Sequence, residues 1–489
     1  MHTHVPVLGK QTGAFAVMFA VVLLVIFGFC GLALDIGSLY NRKADVHAIA
    51  KTVALAAARE LNGERGGVDA AVAAAAEAAA RLRYKYGASF VWSDQALKFS
   101  NSPAPDADWV SGETAKGAPA GRFYVKVDTS ALEQAVGEVK TIFLVLLGSA
   151  NATGIVSERA VAGRATINVL PLAICAMSEE AGAARTNPGP PTTVELVEYG
   201  FRRGVSYDLM QLNPNGTSPA NFVIDPLAPP GGLGSSANVS PTAVGPFICT
   251  GKMWIPRVTG GRIRVTPPFP IGSLYKELNS RFDQFSGSAC NPNGAPSDYN
   301  IKSYAYDQTT GTSWMNPIPS RQSALSTTEG DRLQTIADLN PPPTGTDRGK
   351  YGPLWSYAKP IKYSFYSPTN PDPTSSSATF STTDWASLYP TTPAPAASSY
   401  PSKPPYYATL GANYSSPSAD HVRLSTMNRR VLRVPLLACP LPSGSNVAAT
   451  ALAVGRFFMT VPATESSIYA EFAGIVPENT LTGQVILYP

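Results

Sequence analysis

The sequence predicts a membrane-anchored α+β protein: a long N-terminal transmembrane helix, a second alanine-rich helix, and then a mixed, mainly β, Pro/Ser-rich exported domain. Three observations carry this reading. Ala14 to Leu34 is a run of twenty-one residues without a charge. Alanine dominates residues 68–80, and from about Asn187 onward short apolar runs alternate with Pro, Ser and Tyr. Composition agrees. Of 489 residues only 15% are charged, against roughly 25% in ordinary soluble proteins, and Pro (44) with Gly (41) make about 17% where about 12% is usual. Lys+Arg 38 against Asp+Glu 34 leaves a net charge of +4, without the concentrated basic face of a nucleic-acid binder. The chain has 4 His, two of them His2 and His4, too few for a histidine-based metal centre, and no cofactor is expected.

At about 1.5 Å per residue the apolar run spans a hydrocarbon core of about 30 Å. A cleavable export signal has a shorter apolar stretch, roughly 7–15 residues, and an A-x-A-like exit. Here the exit is Asp35-Ile36-Gly37. The run is also apolar on every face, whereas a surface helix of a soluble core carries one apolar stripe. Flanking charge leaves the orientation open: Lys10 precedes the span, and Arg42, Lys43 and Lys51 follow it. Cysteine usage decides it. Cys30 lies in the span, and Cys175, Cys249, Cys290 and Cys439 are an even, widely spaced set without a CxxC. Such a set suits two disulfides in an oxidising compartment, so the N-terminus is expected in the cytoplasm and the large domain outside.

The helical pattern continues past the membrane. Leu39, Val46 and Val53 follow at heptad spacing, with Ala50 and Ala57 on the adjoining face. No proline intervenes before Asn62-Gly63, a C-terminal stop. Residues 12–62 then form one rod of roughly 75 Å. A second helix is expected from Val68 to about Tyr86, with Arg81, Arg83 and Lys85 near its C-terminal end, where cations suit the helix dipole. Its small side chains fit close packing on the first helix; a solvated alanine-rich helix is the alternative.

Boundaries are expected at 1–63 for the anchor and its extension, 64–91 for the second helix, 92–186 for a small α/β region and 187–489 for the β-rich domain. In the third part Arg122–Val127 alternates like a strand, Ala131–Leu147 reads as helical, and Ile155–Leu170 as one or two strands. Ile142–Leu147 is too short to span a bilayer and reads as a core segment. Further on, strands are expected at Gly261–Thr266, Ile361–Phe365, Arg429–Leu437, Ala449–Val461 and Gln484–Tyr488. A short helix is expected at Ile271–Phe285, with Leu274, Tyr275, Leu278 and Phe282 on one side. Residues 364–420 read as an extended loop or stalk, or as an adhesive surface of exposed tyrosines. Pro171-Leu172-Ala173-Ile174-Cys175 and Pro435-Leu436-Leu437-Ala438-Cys439 share the spacing P-L-x-x-C. That favours Cys175 with Cys439 and Cys249 with Cys290, among the three connectivities that four cysteines allow.

The stretch Gly13-Ala14-Phe15-Ala16-Val17-Met18-Phe19, the apolar run, then Leu34-Asp35-Ile36-Gly37-Ser38-Leu39-Tyr40 and Ala54-Leu55-Ala56-Ala57-Ala58-Arg59 resembles the N-terminus of TadE/TadG-type proteins of bacterial tight-adherence (Flp, type IV-related) pilus systems. The resemblance is strongest over residues 10–62. It implies a membrane helix followed by an exported domain, a role in pilus assembly, and Asp35, Gly37, Leu39 and Tyr40 as the helix motif. It also implies Gly13/Ala14 as the bond that a prepilin peptidase would cut. TadE-type and major Flp pilins carry Glu five residues after that glycine, where this chain has Met18, which favours the uncleaved TadG-like branch. TadG-like proteins often end in a von Willebrand factor A domain, whose D-x-S-x-S motif converges on Mg²⁺. The nearest string here is Asp128-Thr129-Ser130-Ala131-Leu132, with Leu132 in place of the second serine. It reads as a strand-to-helix cap.

Enzyme motifs are near misses. Gly245–Met253 has one residue too many between its glycines for a P-loop and Met253 where Mg²⁺ needs a hydroxyl. His421 follows Asp420 directly, which is not triad geometry, and no G-x-S-x-G elbow is present; it reads as a surface histidine. Glu179-Glu180 read as solvated. The sequons at Asn151, Asn215, Asn238 and Asn413 have meaning only on a eukaryotic secretory route. The expectation is a non-enzymatic component of a Tad/Flp pilus, minor pilin-like or a membrane-anchored assembly factor, acting in biogenesis and adhesion. Its partners would be the inner membrane, other pilus components and pilin helices, with no nucleic acid or small-molecule substrate. The alternatives are a surface adhesin not tied to a pilus and, third, an exported hydrolase.

Overall fold

The computed structural model describes the chain except residues 1–11, 62–64, 85–86, 102, 120–121, 148–151, 165, 190, 229, 256, 260–261, 307–311, 316–317, 342–347, 374, 390–399, 482–484 and 489. His2, His4, Lys10, Asn62-Gly63, Lys85, Tyr86 and Asn151 therefore lie outside the described residues. The chain divides into two compact units: Met1–Leu61 with Arg65–Arg164 and Val485–Pro489, and a second built on Ala165–Gln484. The boundaries differ from those expected on sequence. The two helices and the region after them form one unit, and the chain's last strand returns to it.

In the first unit, helix α1 (Thr12–Glu60) runs 49 residues without a proline, about 74 Å at the standard rise. Helix α2 (Arg65–Arg81) packs against it. Val46, Ile49, Ala50, Val53, Ala54 and Ala57 of α1 share one core with Val68, Ala71, Ala75 and Ala79 of α2. The alanines leave no side chain to hold the backbones apart, so the packed alternative is the one observed. α2 ends at Arg81, and the Arg83 guanidinium donates to the carbonyls of Ala80 and Leu82.

Strands β1 (Leu97–Ser100), β2 (Tyr124–Asp128) and β3 (Arg159–Arg164) are antiparallel neighbours, and the C-terminal strand Val485–Tyr488 pairs along β3. Alternate residues Leu97, Phe99, Val125, Val127, Ala160 and Ala162 face the helices and complete the same core, the period-2 pattern of a half-buried sheet.

The single helix expected over Ala131–Leu147 is absent. The described segment breaks into a 3₁₀ turn at Thr129–Ala131, one helical turn at Gln134–Gly137, a strand Glu138–Lys140 paired with Thr153–Ile155, and a 3₁₀ turn at Leu144–Leu147. Gly137 turns the chain where a Cβ would stand 2.2 Å from the Val156 carbonyl oxygen. The β-branched residues after it suit a ladder better than a helix. Nor do the described side chains of the Ile142–Leu147 run form a core segment: Ile142 is exposed, and Phe143, Leu144 and Val145 are half-buried.

In the second unit, β4 (Leu172–Cys175), β5 (Ser206–Asp208), β6 (Asn221–Ile224), β7 (Arg262–Thr266), β8 (Val431–Leu437), β9 (Val447–Met459) and β10 (Tyr469–Ile475) form one sheet in the order β5-β10-β9-β7-β6-β4-β8. The long β9 also pairs with β8, so five strands close on themselves. Ala173, Cys175, Phe222, Ile224, Ile263 and Val265 form one apolar cluster, while the alternating Leu172, Ile174, Val223, Val434 and Leu436 belong to the main core. β8 and β4 are parallel neighbours, with Leu437 opposite Cys175 and Cys439 two residues further on, so both P-L-x-x-C strings end at the same edge of the sheet. Cys175 is bonded to Cys439, with Cα atoms 5.7 Å apart, and Cys249 to Cys290.

Helix α3 (Pro241–Thr250) ends on Gly251, whose φ is +71°. The glycine-flanked string Gly245–Met253 is thus a helix and its stop, without the loop that a phosphate would need. Helix α4 (Ile271–Asn279), with a 3₁₀ turn to Phe282, buries Leu274, Leu278 and Phe282. At Ile361–Phe365 only bridge pairing at Ile361 and Lys362 precedes a 3₁₀ turn, so that strand is not formed. The described residues of 364–420 form neither a stalk nor an exposed aromatic surface. Phe380, Trp385, Leu388, Tyr389 and Tyr406 are in the main core, and all six tyrosines of the segment are buried or half-buried.

Candidate functional site: the apolar helix and its Asp35 clasp

Along α1 the surroundings change at Gly31. From Phe15 to Cys30 every residue is exposed, Met18 at 65% and Phe29 at 69% among them. α1 is long and apolar enough to cross a membrane. Thr12, Gly13 and Ala14 form its first turn, and their side-chain surroundings lie outside the described residues. From Gly31 a buried stripe begins: Gly31, Asp35, Arg42, Val46, Ile49, Val53. Steps of three, four and seven keep this stripe on one helix face.

Asp35 is the chemistry-bearing member of the stripe. It is 3% exposed, and its carboxylate accepts three backbone N–H bonds, from Ile142 at 2.9 Å, Phe143 at 2.8 Å and Leu144 at 2.7 Å. These donors lead into the 3₁₀ turn Leu144–Leu147, so Asp35 does from another element what an N-cap side chain does locally. Each is a charge-assisted bond to an otherwise orphaned amide. One turn earlier the Phe143 ring lies on Gly31: a Cβ there would stand 2.1 Å from a ring carbon, so only glycine admits it. One turn later Leu39 covers Gly154, where a Cβ would meet Leu39 Cδ2 at 2.7 Å. The motif divides by face. Asp35 and Leu39 turn to the folded unit, whereas Gly37 meets nothing within 4 Å and Tyr40 is exposed.

Beyond the clasp the helix is held by polar contacts. Arg42 pairs with Asp45 at 3.5 Å and lies over the Tyr84 ring at 5.2 Å. Glu158 meets both Lys43, at 3.3 Å, and His47, at 3.4 Å.

The other sequence candidates take structural places. Asp128 caps the 3₁₀ turn after β2. Its Oδ1 accepts the Ser130 N–H at 3.0 Å and hydroxyl at 2.6 Å, and its Oδ2 meets Arg159 at 2.6 Å. Burial pushes its pKa up, but the Ser130 donors and the Arg159 guanidinium together bring it below the ordinary carboxylate value. His421 is partnered by Asp283, Nδ1 to Oδ1 2.6 Å, rather than by the adjacent Asp420, and packs edge-on against Phe285. It is thus a half-buried histidine held by Asp283 and not a free surface one. Among the described residues no three His, Cys, Asp or Glu side chains gather as a metal site.

Sequence reasoning missed the clasp. The helical reading of Ala131–Leu147 hid three free N–H groups, and the pairing joins residues more than a hundred positions apart. The signal that was present is the conjunction of a lone acidic residue at the end of an apolar run with a second apolar run too short for a span.

Residues 13–60 match the family described as Flp pilus-assembly TadE/G-like. No match was found among curated proteins or among solved structures. The matched stretch begins in the first turn of α1 and ends at Glu60, its last residue. It therefore takes in the apolar half, the clasp and the face that packs on α2. Over residues 13–60 this α+β chain is similar to the TadE/G-like domain of Flp pilus-assembly proteins.

Proposed function

We propose that the chain is a non-enzymatic component of a bacterial Tad (Flp) pilus, held in the inner membrane by α1 with its N-terminus in the cytoplasm and its strand-rich part exported. The observation that carries this reading is the TadE/G-like stretch itself, in which an apolar helix passes without a break into a helix packed in a folded unit. The exposed Gly37 and Tyr40 offer a face to neighbouring pilin helices just outside the apolar segment. The two disulfides support an oxidising compartment for the second unit. Met18, in place of the acidic residue of processed pilins, favours a permanently anchored assembly factor over a fibre subunit.

The test is mass spectrometry of the N-terminal peptide from sheared surface fibres and from membranes, beside a strain lacking the chain. An intact N-terminus confined to membranes, with fibres lost in the deletion strain, is expected. A peptide starting at Ala14 in the fibres identifies a processed minor pilin instead. Fibres that assemble normally without the chain leave the adhesin reading. Met18→Glu is expected to increase cleavage at Gly13/Ala14 in cells holding the peptidase, read as a mobility shift; unchanged mobility counts against the role given to Met18.

A further inference from the structure

We infer that the apolar turn Ile142–Val145 is a second membrane contact: it enters the outer leaflet beside α1 and is held there by the Asp35 clasp. The inference goes beyond the pilus reading and rests on α1 crossing a membrane with its folded unit on the outer side. It starts from depth. The Asp35 bonds fix the backbone of Ile142–Leu144 at the level of Asp35, the residue that follows the apolar run. The Phe143 ring lies a turn deeper, on Gly31. Four residues of helix are about 6 Å, so the ring stands inside the segment that the bilayer must cover. Ile142 is 72% exposed. In water this cluster of apolar side chains is unfavourable; at the hydrocarbon boundary it is covered by acyl chains, as in interfacial segments of monotopic proteins.

The polar groups make the same point. Irregular backbone is excluded from lipid because its N–H groups have no partner there. A carboxylate at the edge of the hydrocarbon is costly unless something satisfies it. Here each cost cancels the other: one carboxylate takes up three amides. A second copy or another helix covering the turn is the competing occupant. What favours lipid is continuity with α1, whose exposed Leu34 and Ile36 flank Asp35 in the chain.

The test uses the full chain in vesicles of phosphatidylethanolamine and phosphatidylglycerol. Cys30→Ser removes the free thiol, and a nitroxide is attached at Ile142→Cys, Leu34→Cys or Lys43→Cys in turn. The Ile142 label is expected to collide more with oxygen than with a water-soluble nickel chelate, as the Leu34 label does, whereas the Lys43 label shows the reverse. Adding Asp35→Ala is expected to shift the Ile142 label toward the Lys43 pattern. An Ile142 label as open to nickel as Lys43 overturns the proposal, while the Leu34 label separately reports whether α1 is in the membrane. An Ile142 label shielded from both reagents overturns it in favour of a covering protein. An unchanged pattern after Asp35→Ala overturns the part given to the clasp, and the depth measured with Asp35 present does not depend on how well that variant folds.

Discussion

The helical pair of the first unit and the loop-rich body of the second both bury long stretches of backbone, and they satisfy it with opposite kinds of side chain. In α1 and α2 the backbone hydrogen-bonds to itself, so the contact face needs only small apolar residues: Ala50, Ala54, Ala57, Ala71 and Ala75 are all 0% exposed. The loops of the second unit have carbonyls and amides to be met from elsewhere. Arginine supplies the donors. Arg430, 0% exposed, reaches the carbonyls of Asn300, Lys302, Met459 and Thr460. Arg202 reaches those of Ala337 and Leu388, and Arg185 those of Asp338 and Leu339. Carboxylates supply the acceptors: Glu471 takes the N–H groups of Ser356, Tyr357 and Ala358, and Asp225 those of Leu227, Ala228 and Ser235. The difference teaches where Pro- and Ser-rich chain can be compact. A planar guanidinium with five donors ties several strandless segments at once, which no apolar side chain does.

The harshest way to break that comparison is at Arg202. Its guanidinium pairs with Glu195 at 2.7 Å, both side chains at 1% exposure or less, and stacks over Tyr389. Arg202→Met leaves a buried carboxylate uncompensated and two carbonyls without their donor. A loss of about 3–5 kcal/mol is expected, the usual cost of breaking a buried pair from one side. Adding Glu195→Leu should restore much of it, since an apolar replacement of both partners is often neutral. Hydrogen exchange of the full chain in detergent micelles, read at the peptides around 337–339 and 388, reports the effect. Equal losses in the single and double variants would mean that the pair is not what holds these loops.

Glu471 gives the comparison a pH dependence. It is fully buried, and burial pushes its carboxyl up to about 7, although three backbone N–H donors pull the other way. In the unfolded chain the group titrates near its ordinary value of 4.5. The folded state therefore binds the extra proton between about pH 4.5 and 7, and stability falls as pH rises through that window, by at most about 1.4 kcal/mol per pH unit. Glu471→Gln removes this titration and should flatten the fall. Melting temperatures from pH 4.5 to 8 decide it: a difference between parent and variant that stays constant with pH would show that Glu471 does not titrate there. The helical pair has no counterpart at its alanine face: among the described residues from Val46 to Ala79 no charged side chain is buried.

What was legible in the sequence follows the same division. The stripe of α1, the alternation of β2 and the P-L-x-x-C spacing at the parallel strands β4 and β8 are local or repeated patterns. Periodicity exposes them because each side chain's direction follows from its own element. The Asp35 clasp joins α1 to a turn more than a hundred residues later, and the arginines of the second unit serve carbonyls from distant loops. No spacing marks such pairings. Composition misled over 364–420 for the same reason: a stretch poor in aliphatic residues looks unable to enter a core, yet Tyr389 enters it beneath the Arg202 guanidinium, Tyr406 with its hydroxyl on Asp298 and Trp385 against Trp355.

The helix face can be sharpened with a smaller effect. If α1 and α2 approach closely because their contact residues are small, enlarging one is harmful even though the replacement is apolar and an equally good helix former. Ala57 is 0% exposed in that core, so Ala57→Leu should cost about 1–3 kcal/mol through overpacking. Ala48 lies on the exposed face of the same helix, and Ala48→Leu should stay within about 0.5 kcal/mol. Both changes add the same atoms, and helix propensity barely separates Leu from Ala, so only the face differs. Exchange of the amides from Val46 to Arg81 in the full chain distinguishes them. Equal protection in both variants would mean that the alanine face is loosely packed and that the pair is held by its polar contacts, as the second unit is. Faster exchange in Ala57→Leu alone assigns it to the close approach that its alanines permit.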